Sequence, residues 1–256
     1  MCLILFAYDC HPRYQLIMAA NRDEFYNRPT LPVAFWEDNP DILAGKDLQE
    51  GGTWMGITTT GRLAALTNFR DPASYKTQAP SRGHLVQNYL NSSIAPQAYI
   101  DNLDNGGAAY NGFNLLIRSN ESLYYYSNRE KLARKVENGV HGLSNSLLDV
   151  PCPKVSNGKK ALTDAVQSEN INVEHLFAIM ANREQAPDQD LPQTGVSLDM
   201  ERILAPAYVI SPKYGTRTTT VILVDRNQKI EFWERSFVPG EAGEWNEVYY
   251  DFEIKS

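Results

Sequence analysis

The second residue of the chain is Cys2, and a cysteine there has a chemical option open to few others. Loss of the initiator Met would leave one residue carrying both a thiol and a free α-amine. The thiol has a reference pKa of ~8.5 and the amine of ~7.7–8.0, so near neutrality the amine can act as base for its own nucleophile. Small second residues generally permit that removal. The plainer alternative is a small apolar residue opening a buried strand, a role free Cys often fills. Further on comes the run Asn21-Arg22-Asp23-Glu24, four polar residues directly behind an apolar stretch. If that stretch returns antiparallel to a strand starting at Cys2, the run arrives beside the thiol. Arg22 would then lower the thiol pKa, and Asp23 would accept a bond from an ammonium or orient a substrate. The plainer alternative is a solvated turn.

Three more polar residues stand at the ends of apolar stretches: Asn68 after Leu66-Thr67, Asn145 after Leu143-Ser144, and Arg217 ahead of Thr218-Thr219-Thr220. Side-chain amides can donate to a developing oxyanion, and an arginine can hold a carboxylate bidentately. Singly, each also suits a turn. Together they form a pattern.

These residues depend on strands to place them. Residues 2–8 and 14–20 read as buried strands joined by a polar hairpin turn at 9–13. The prolines of Arg28-Pro29-Thr30-Leu31-Pro32 force an extended path. Gly51-Gly52 precedes a strand over 53–58, and Thr60-Gly61 turns into another over 62–67. Helical spacing appears over 83–91 and 96–103, then a hairpin of 113–118 and 123–127 split at Asn120-Glu121. A short strand at 140–143 is followed by helices over 159–166 and 173–181, with Asn172 as N-cap of the second. An exposed loop spans 186–195, and strands over 208–211, 218–225 and 229–236 follow. The acidic tail at 241–253 reads as a last strand packed on the core, with an interaction segment as the alternative. Strands, helices, strands, helices, strands is not the steady alternation of a parallel sheet. It predicts an α+β fold of two mainly antiparallel sheets with helices outside, in one domain over 1–256.

Composition narrows the function. The chain has 256 residues with 43% hydrophobic, a formal net charge of −7 and no basic block. A duplex nucleic-acid binder carries the opposite field, so no nucleic-acid partner is expected. No apolar run approaches the ~20 residues of a membrane-spanning helix. The 3–7 stretch is too short for a signal-peptide core, so a cytoplasmic location is expected. Cys2, Cys10 and Cys152 are odd in number and lack metal-ligand spacing, so neither a disulfide framework nor a zinc site is indicated.

The start at Cys2, the run Asn21-Arg22-Asp23-Glu24, the segment Gly51-Gly52-Thr53-Trp54-Met55-Gly56 and the stretch Leu66-Thr67-Asn68-Phe69-Arg70 resemble the NRDE family, the transport-and-Golgi-organisation type 2 proteins. That family is similar in turn to the N-terminal-nucleophile hydrolases of the penicillin-V-acylase and choloylglycine-hydrolase type. The resemblance implies a four-layer αββα sandwich. It also implies a site made of Cys2, Arg22, Asp23, Asn68, Asn145 and Arg217. Arg22 and Asp23 are adjacent here, where the hydrolases separate the pair, and Glu24 is a rival for the role of Asp23.

Two functions follow from the resemblance. One is haem binding and trafficking, with haem as cargo, haem-accepting proteins as partners and no catalytic cofactor. Its ligand would meet Cys2, Asn21, Arg22, Asp23, Glu24, Asn68, Arg70 and Arg217. Arg82 is a further propionate partner, and His84, His141 and the Cys152 of Pro151-Cys152-Pro153 are candidate axial ligands. The other is a cysteine amidohydrolase acting on a small acylated substrate, with Cys2 as nucleophile and Asn68 at the oxyanion.

Overall fold

The computed structural model describes residues 2–104, 107–119, 122–238 and 243–255. In chain order the strands are β1 (Cys2–Tyr8), β2 (Tyr14–Phe25), β3 (Thr30–Phe35), β4 (Ile42–Asp47), β5 (Met55–Thr58) and β6 (Leu63–Asn68), followed by helices α1 (Gly83–Leu90) and α2 (Pro96–Asp104). Strands β7 (Phe113–Arg118), β8 (Leu123–Ser127), β9 (Leu132–Lys135) and β10 (Gly139–Leu143) precede helices α3 (Pro153–Ala165), α4 (Val173–Met180) and α5 (Leu198–Leu204). Three strands end the chain: β11 (Tyr214–Asp225), β12 (Lys229–Phe237) and β13 (Trp245–Glu253). They make a six-stranded sheet, β10-β1-β2-β11-β12-β13, and a seven-stranded sheet, β3-β4-β5-β6-β7-β8-β9. Every strand pairing described is antiparallel. The fold is α+β, as expected.

Two compact units emerge, one of residues 1–27 and 138–251, the other of 28–137 and 252–256. In the first, all seven residues of β1 are buried, which is why its sequence is an unbroken apolar run rather than an alternating one. Leu3, Leu5, Ile17, Ala19, Val221 and Leu223 pack with Val155 and Leu162 of α3 and Leu176 and Phe177 of α4. Helix α3 lies close on β1 because residue 158 is glycine. A Cβ there would stand 2.5 Å from Leu5 Cδ1. Asn172 caps α4, its side chain accepting from the His175 N–H at 3.2 Å.

In the second unit the core gathers Trp36, Ile42, Leu66, Phe113, Leu115 and Ile117 from the sheet, with Val86 and Tyr89 of α1 and Ile100 of α2. Gly52 touches the backbone of Gly83, where a Cβ would come within 2.6 Å of the carbonyl carbon, so this turn requires glycine.

Differences from the sequence expectations have local causes. Helix α3 starts at Pro153, six residues before its apolar spacing becomes regular, because proline is tolerated in a first helical turn. The expected strand over 208–211 is reduced to one bridge, Ile210 to Gly215, beside the start of β11. Of the tail, residues 241–242 lie outside the described residues and 245–253 form β13, an edge strand with no buried residue rather than one packed into the core, its Tyr249 ring 4.8 Å from that of Trp233. The Asn120-Glu121 turn lies outside the described residues.

Candidate functional site

The register of β1 with β2 sets Cys2 opposite Arg22 and Leu3 opposite Asn21. Side chains alternate across a strand, so Arg22 and Glu24 share the face of Cys2, while Asn21 and Asp23 project to the face that the helices cover. The four-residue run is therefore divided in two.

Asn21 and Asp23 are held inside. Asn21 is 0% exposed and donates its amide to the Met180 and Ala207 carbonyls, both at 2.8 Å, while accepting from Thr219 Oγ1 at 2.6 Å. It ties the end of α4 and the 205–207 segment to the sheet. Asp23 accepts from Thr216 Oγ1 at 2.7 Å. Burial pushes the Asp23 carboxyl up, opposed by nearby positive charge that includes Lys154 and Arg22, and by the Thr216 hydroxyl.

On the other face, Arg22 is 9% exposed and its Nη2 lies 3.9 Å from Glu24 Oε2. Arg217 is the extra residue of a β-bulge, since Thr216 pairs with Asp23 and Thr218 with Arg22. Bulges re-aim a side chain, and here the guanidinium donates to the carbonyls of Phe25 at 3.0 Å and Tyr26 at 3.3 Å. Burial lowers the Arg217 pKa, and the Arg22 guanidinium lowers it further against the pull of Glu24. Two arginines thus stand within electrostatic reach of one another.

Cys2 is 7% exposed, and burial raises the pKa of its thiol. The Asp23 charge adds to the rise, while Arg22 and the Asp23 backbone N–H oppose it. Ser144 Oγ donates to the Cys2 carbonyl at 3.3 Å and reaches Asn145 Oδ1 at 3.4 Å. The β1–β10 pairing, Ile4 with Leu143, brings this dipeptide to the start of β1. Cys2, Arg22, Glu24, Asn145 and Arg217 accordingly meet at one end of the first sheet. Residue 1, on whose removal a free Cys2 amine depends, lies outside the described residues.

Asn68 and Arg70 belong to the second unit. Asn68 is half-buried at the end of β6, in register with Phe113, and Arg70 is half-buried beyond it. Arg82 donates to the Gly112 carbonyl at 2.9 Å. His84 Nε2 bonds the Glu50 carbonyl at 2.7 Å, and His141 Nδ1 bonds Asp149 Oδ2 at 2.7 Å. Among the described residues no group of three or more His, Cys, Asp and Glu is placed to hold a metal ion, and no helix is long and apolar enough to cross a membrane.

A cavity of about 420 Å³ is walled by the first turns of α3, the end of α4 and the 182–190 and 205–207 segments. Cys152 and Lys154 line it. A proline opening a helix was the available signal for α3, but no local pattern announces that Lys154 is buried.

The chain matches the family model described as Transport and Golgi organisation 2 over residues 1–239. It is 39% identical to the Transport and Golgi organization 2 homolog of Mus musculus over 278 residues, and 37% identical to that of Homo sapiens over 277, covering 100% of both chains each time. Drosophila melanogaster has a relative 29% identical over 289 residues. Two solved structures are similar in fold. A C2A mutant of conjugated bile acid hydrolase from Clostridium perfringens has a TM-score of 0.52 at 9% identity, covering 100% of this chain and 97% of that one. The Caenorhabditis elegans N-acylethanolamine-hydrolyzing acid amidase ortholog has a TM-score of 0.50 at 9% identity, covering 87% and 92%. The two antiparallel sheets with their helices are thus the N-terminal-nucleophile hydrolase fold. A shared fold does not carry a shared reaction.

Proposed function

Since the chain belongs to the Transport and Golgi organisation 2 family, we propose that it is a cytoplasmic haem-binding and haem-trafficking protein that passes its cargo to haem-accepting proteins. The observation that carries this reading is the Arg22 and Arg217 pair on β2 and β11, next to a thiol whose pKa burial raises. Arg22 and Arg217 repel one another on one face of β2 and β11, with Glu24 beside them acting in the opposite sense. An anion relieves that repulsion, and the paired propionates of haem match it through charge-assisted, bidentate bonds. A raised thiol pKa disfavours the thiolate, the form that acts as nucleophile. The word "transport" in the relatives' names agrees with carriage.

Titration with haem, followed at the Soret band, tests this. The expected result is a saturable shift at micromolar protein, weakened roughly 10–100-fold by Arg217→Met, the loss of about 1.5–3 kcal/mol from one charge-assisted bond. No saturable shift, or full affinity in Arg22→Met and Arg217→Met alike, overturns it.

A second reading is favoured by the meeting of Cys2, Arg22 and Asn145 at one sheet end: a cysteine amidohydrolase acting on a small acylated substrate. After loss of residue 1, the Cys2 thiol would give its proton to its own α-amine. The thiolate would then attack the amide carbon, and the proton would pass to the departing amine. Water would cleave the thioester, releasing the acid and restoring the thiol. Arg22 and Arg217 would hold an anionic group of the substrate. Intact mass of the protein from cells tests this reading, because retention of Met1 in every molecule eliminates it.

A further inference from the structure

We infer that the free edge of β13 is a docking site for another protein, and that it takes an extended basic segment as an added antiparallel strand. Strand β12 separates this edge from β11 and its Arg217.

A sheet edge presents a row of unpaired backbone N–H and C=O groups, and proteins generally guard it. Three of the four sheet edges here are guarded. β3 carries Pro32 and an irregular register between Leu31 and Ala34. β9 is only four residues long. On β10 the Asp149 N–H donates to the Gly142 carbonyl at 2.9 Å, and the Asp149 carboxylate accepts from the Gly142 N–H at 2.9 Å. The fourth edge, β13, is nine residues long with no proline and no buried residue, and among the described residues no strand pairs with its outer side. An open edge of that length can accept an added strand through main-chain hydrogen bonds.

The side chains of β13 define the partner. Trp245, Glu247, Tyr249 and Asp251 alternate onto one face and are all exposed. Trp233 and Arg235 of β12 share that face, the first with its ring 4.8 Å from that of Tyr249, the second 4.8 Å from the Trp245 ring. Two cations serve four carboxylates there: Arg235 is shared by Glu174 and Glu247, and Lys229 by Glu231 at 3.9 Å and Asp251 at 3.0 Å. Every carboxylate is paired, yet each cluster keeps one net negative charge. Glu247 and Asp251 stand about 13 Å apart along the strand, with the exposed Tyr249 ring midway. An antiparallel strand with Lys or Arg at two positions four residues apart, and an apolar residue between them, sets a cation against each cluster and covers the ring. The exposed aromatic faces favour cations as well. A second copy of this edge would bring the same two negative clusters and be repelled.

The test uses the full-length protein and a fluorescent, capped peptide, Thr-Lys-Thr-Val-Thr-Lys-Thr-Val-Thr. On antiparallel pairing its lysines meet Asp251 and Glu247, and its valines meet Tyr249 and Trp245. Fluorescence anisotropy is expected to show saturable binding at micromolar protein, with hydrogen exchange of the 245–251 amides slowed about fivefold or more. Glutamate in place of both lysines should weaken binding about tenfold or more, as should N-methylation of the peptide amides that face β13. Glu247→Gln combined with Asp251→Asn cancels both net charges and should weaken the lysine peptide about tenfold. No saturable binding of the lysine peptide overturns the inference. So does equal binding of the glutamate or N-methylated peptide, equal affinity in the double variant, or exchange protection confined to residues outside 245–251. Self-association that protects 245–251 while the peptide fails to bind also overturns it, and assigns the edge to a second copy. Haem takes no part in these measurements, so their outcome is separate from that of the Soret titration.

Discussion

Cys2 and Arg22 stand directly opposite one another on adjacent antiparallel strands. Directly opposed residues have Cβ atoms about 4.5–5.5 Å apart, so the thiol and the base of the arginine side chain are neighbours by backbone geometry alone. The electrostatic outcome is a contest that burial wins. Arg22 favours the thiolate, but desolvation disfavours it more, and the thiol pKa rises.

Cys2 should therefore be the slowest of the three cysteines to react. Iodoacetamide at mildly alkaline pH is expected to modify Cys10 and Cys152 well before Cys2, and urea should remove the difference. Arg22→Met should retard Cys2 further, because it removes a group that lowers the thiol pKa. If Cys2 is alkylated first, its thiol is activated and the hydrolase reading gains over carriage.

Asn21→Ala should be among the most damaging single changes in the first unit. It strips partners from two carbonyls and a hydroxyl in a fully buried place. At about 1–3 kcal/mol for each group left unsatisfied, a loss of roughly 3 kcal/mol or more is expected. Urea unfolding measures it directly; a midpoint shift worth under about 1 kcal/mol would contradict the clamp role.

Gly158→Ala should destabilise despite the better helix propensity of alanine. The new methyl would overlap Leu5, at a cost of about 1–3 kcal/mol against a gain of about 1 kcal/mol. Leu5→Ala alone should also destabilise, by opening a cavity. The combination should be less harmful than the sum, and thermal unfolding of the four proteins checks this coupling. Strict additivity would mean that α3 shifts to accommodate the methyl.

Asp149 gives the chain an acid-sensitive tie. Burial acts to raise its pKa, but bonds from His141, Lys159 and the Gly142 N–H outweigh this and hold it at about 2. A depressed carboxylate contributes stability above its unfolded pKa of about 4 and loses it as pH falls through the folded value. Between pH ~4 and pH ~2 the wild type should lose about 1 kcal/mol through this residue, a figure reduced for its partial solvent screening. Asp149→Asn tolerates the left-handed backbone, φ 62°, while removing the charge. It should be less stable at neutral pH and lack that increment of acid loss. Parallel acid titrations of the two proteins would refute the tie.

Much of this architecture was legible along the chain, because local patterns encode it. The unbroken apolar runs of β1 and β2 and the polar link between them specify a buried hairpin, and a hairpin with a short link has few registers open to it. From that alone Cys2 had to return near Arg22. The N-cap at Asn172 and the strands at 113–118 and 123–127 were equally readable from residues close in sequence. Strand alternation, once the register is set, also separates Asn21 and Asp23 from Arg22 and Glu24. What the two inward residues do is another matter. The acceptors of Asn21 lie on segments remote in sequence, 159 and 186 residues away, and Arg217 is aimed by a bulge 192 residues from the carbonyl it bonds. Lys154 looks like any charged helical residue until the burial of its ammonium beside Leu204 is seen. Such contacts arise when separate segments pack and desolvate one another, and the free energy of a buried polar group depends on that whole surrounding rather than on its chain neighbours.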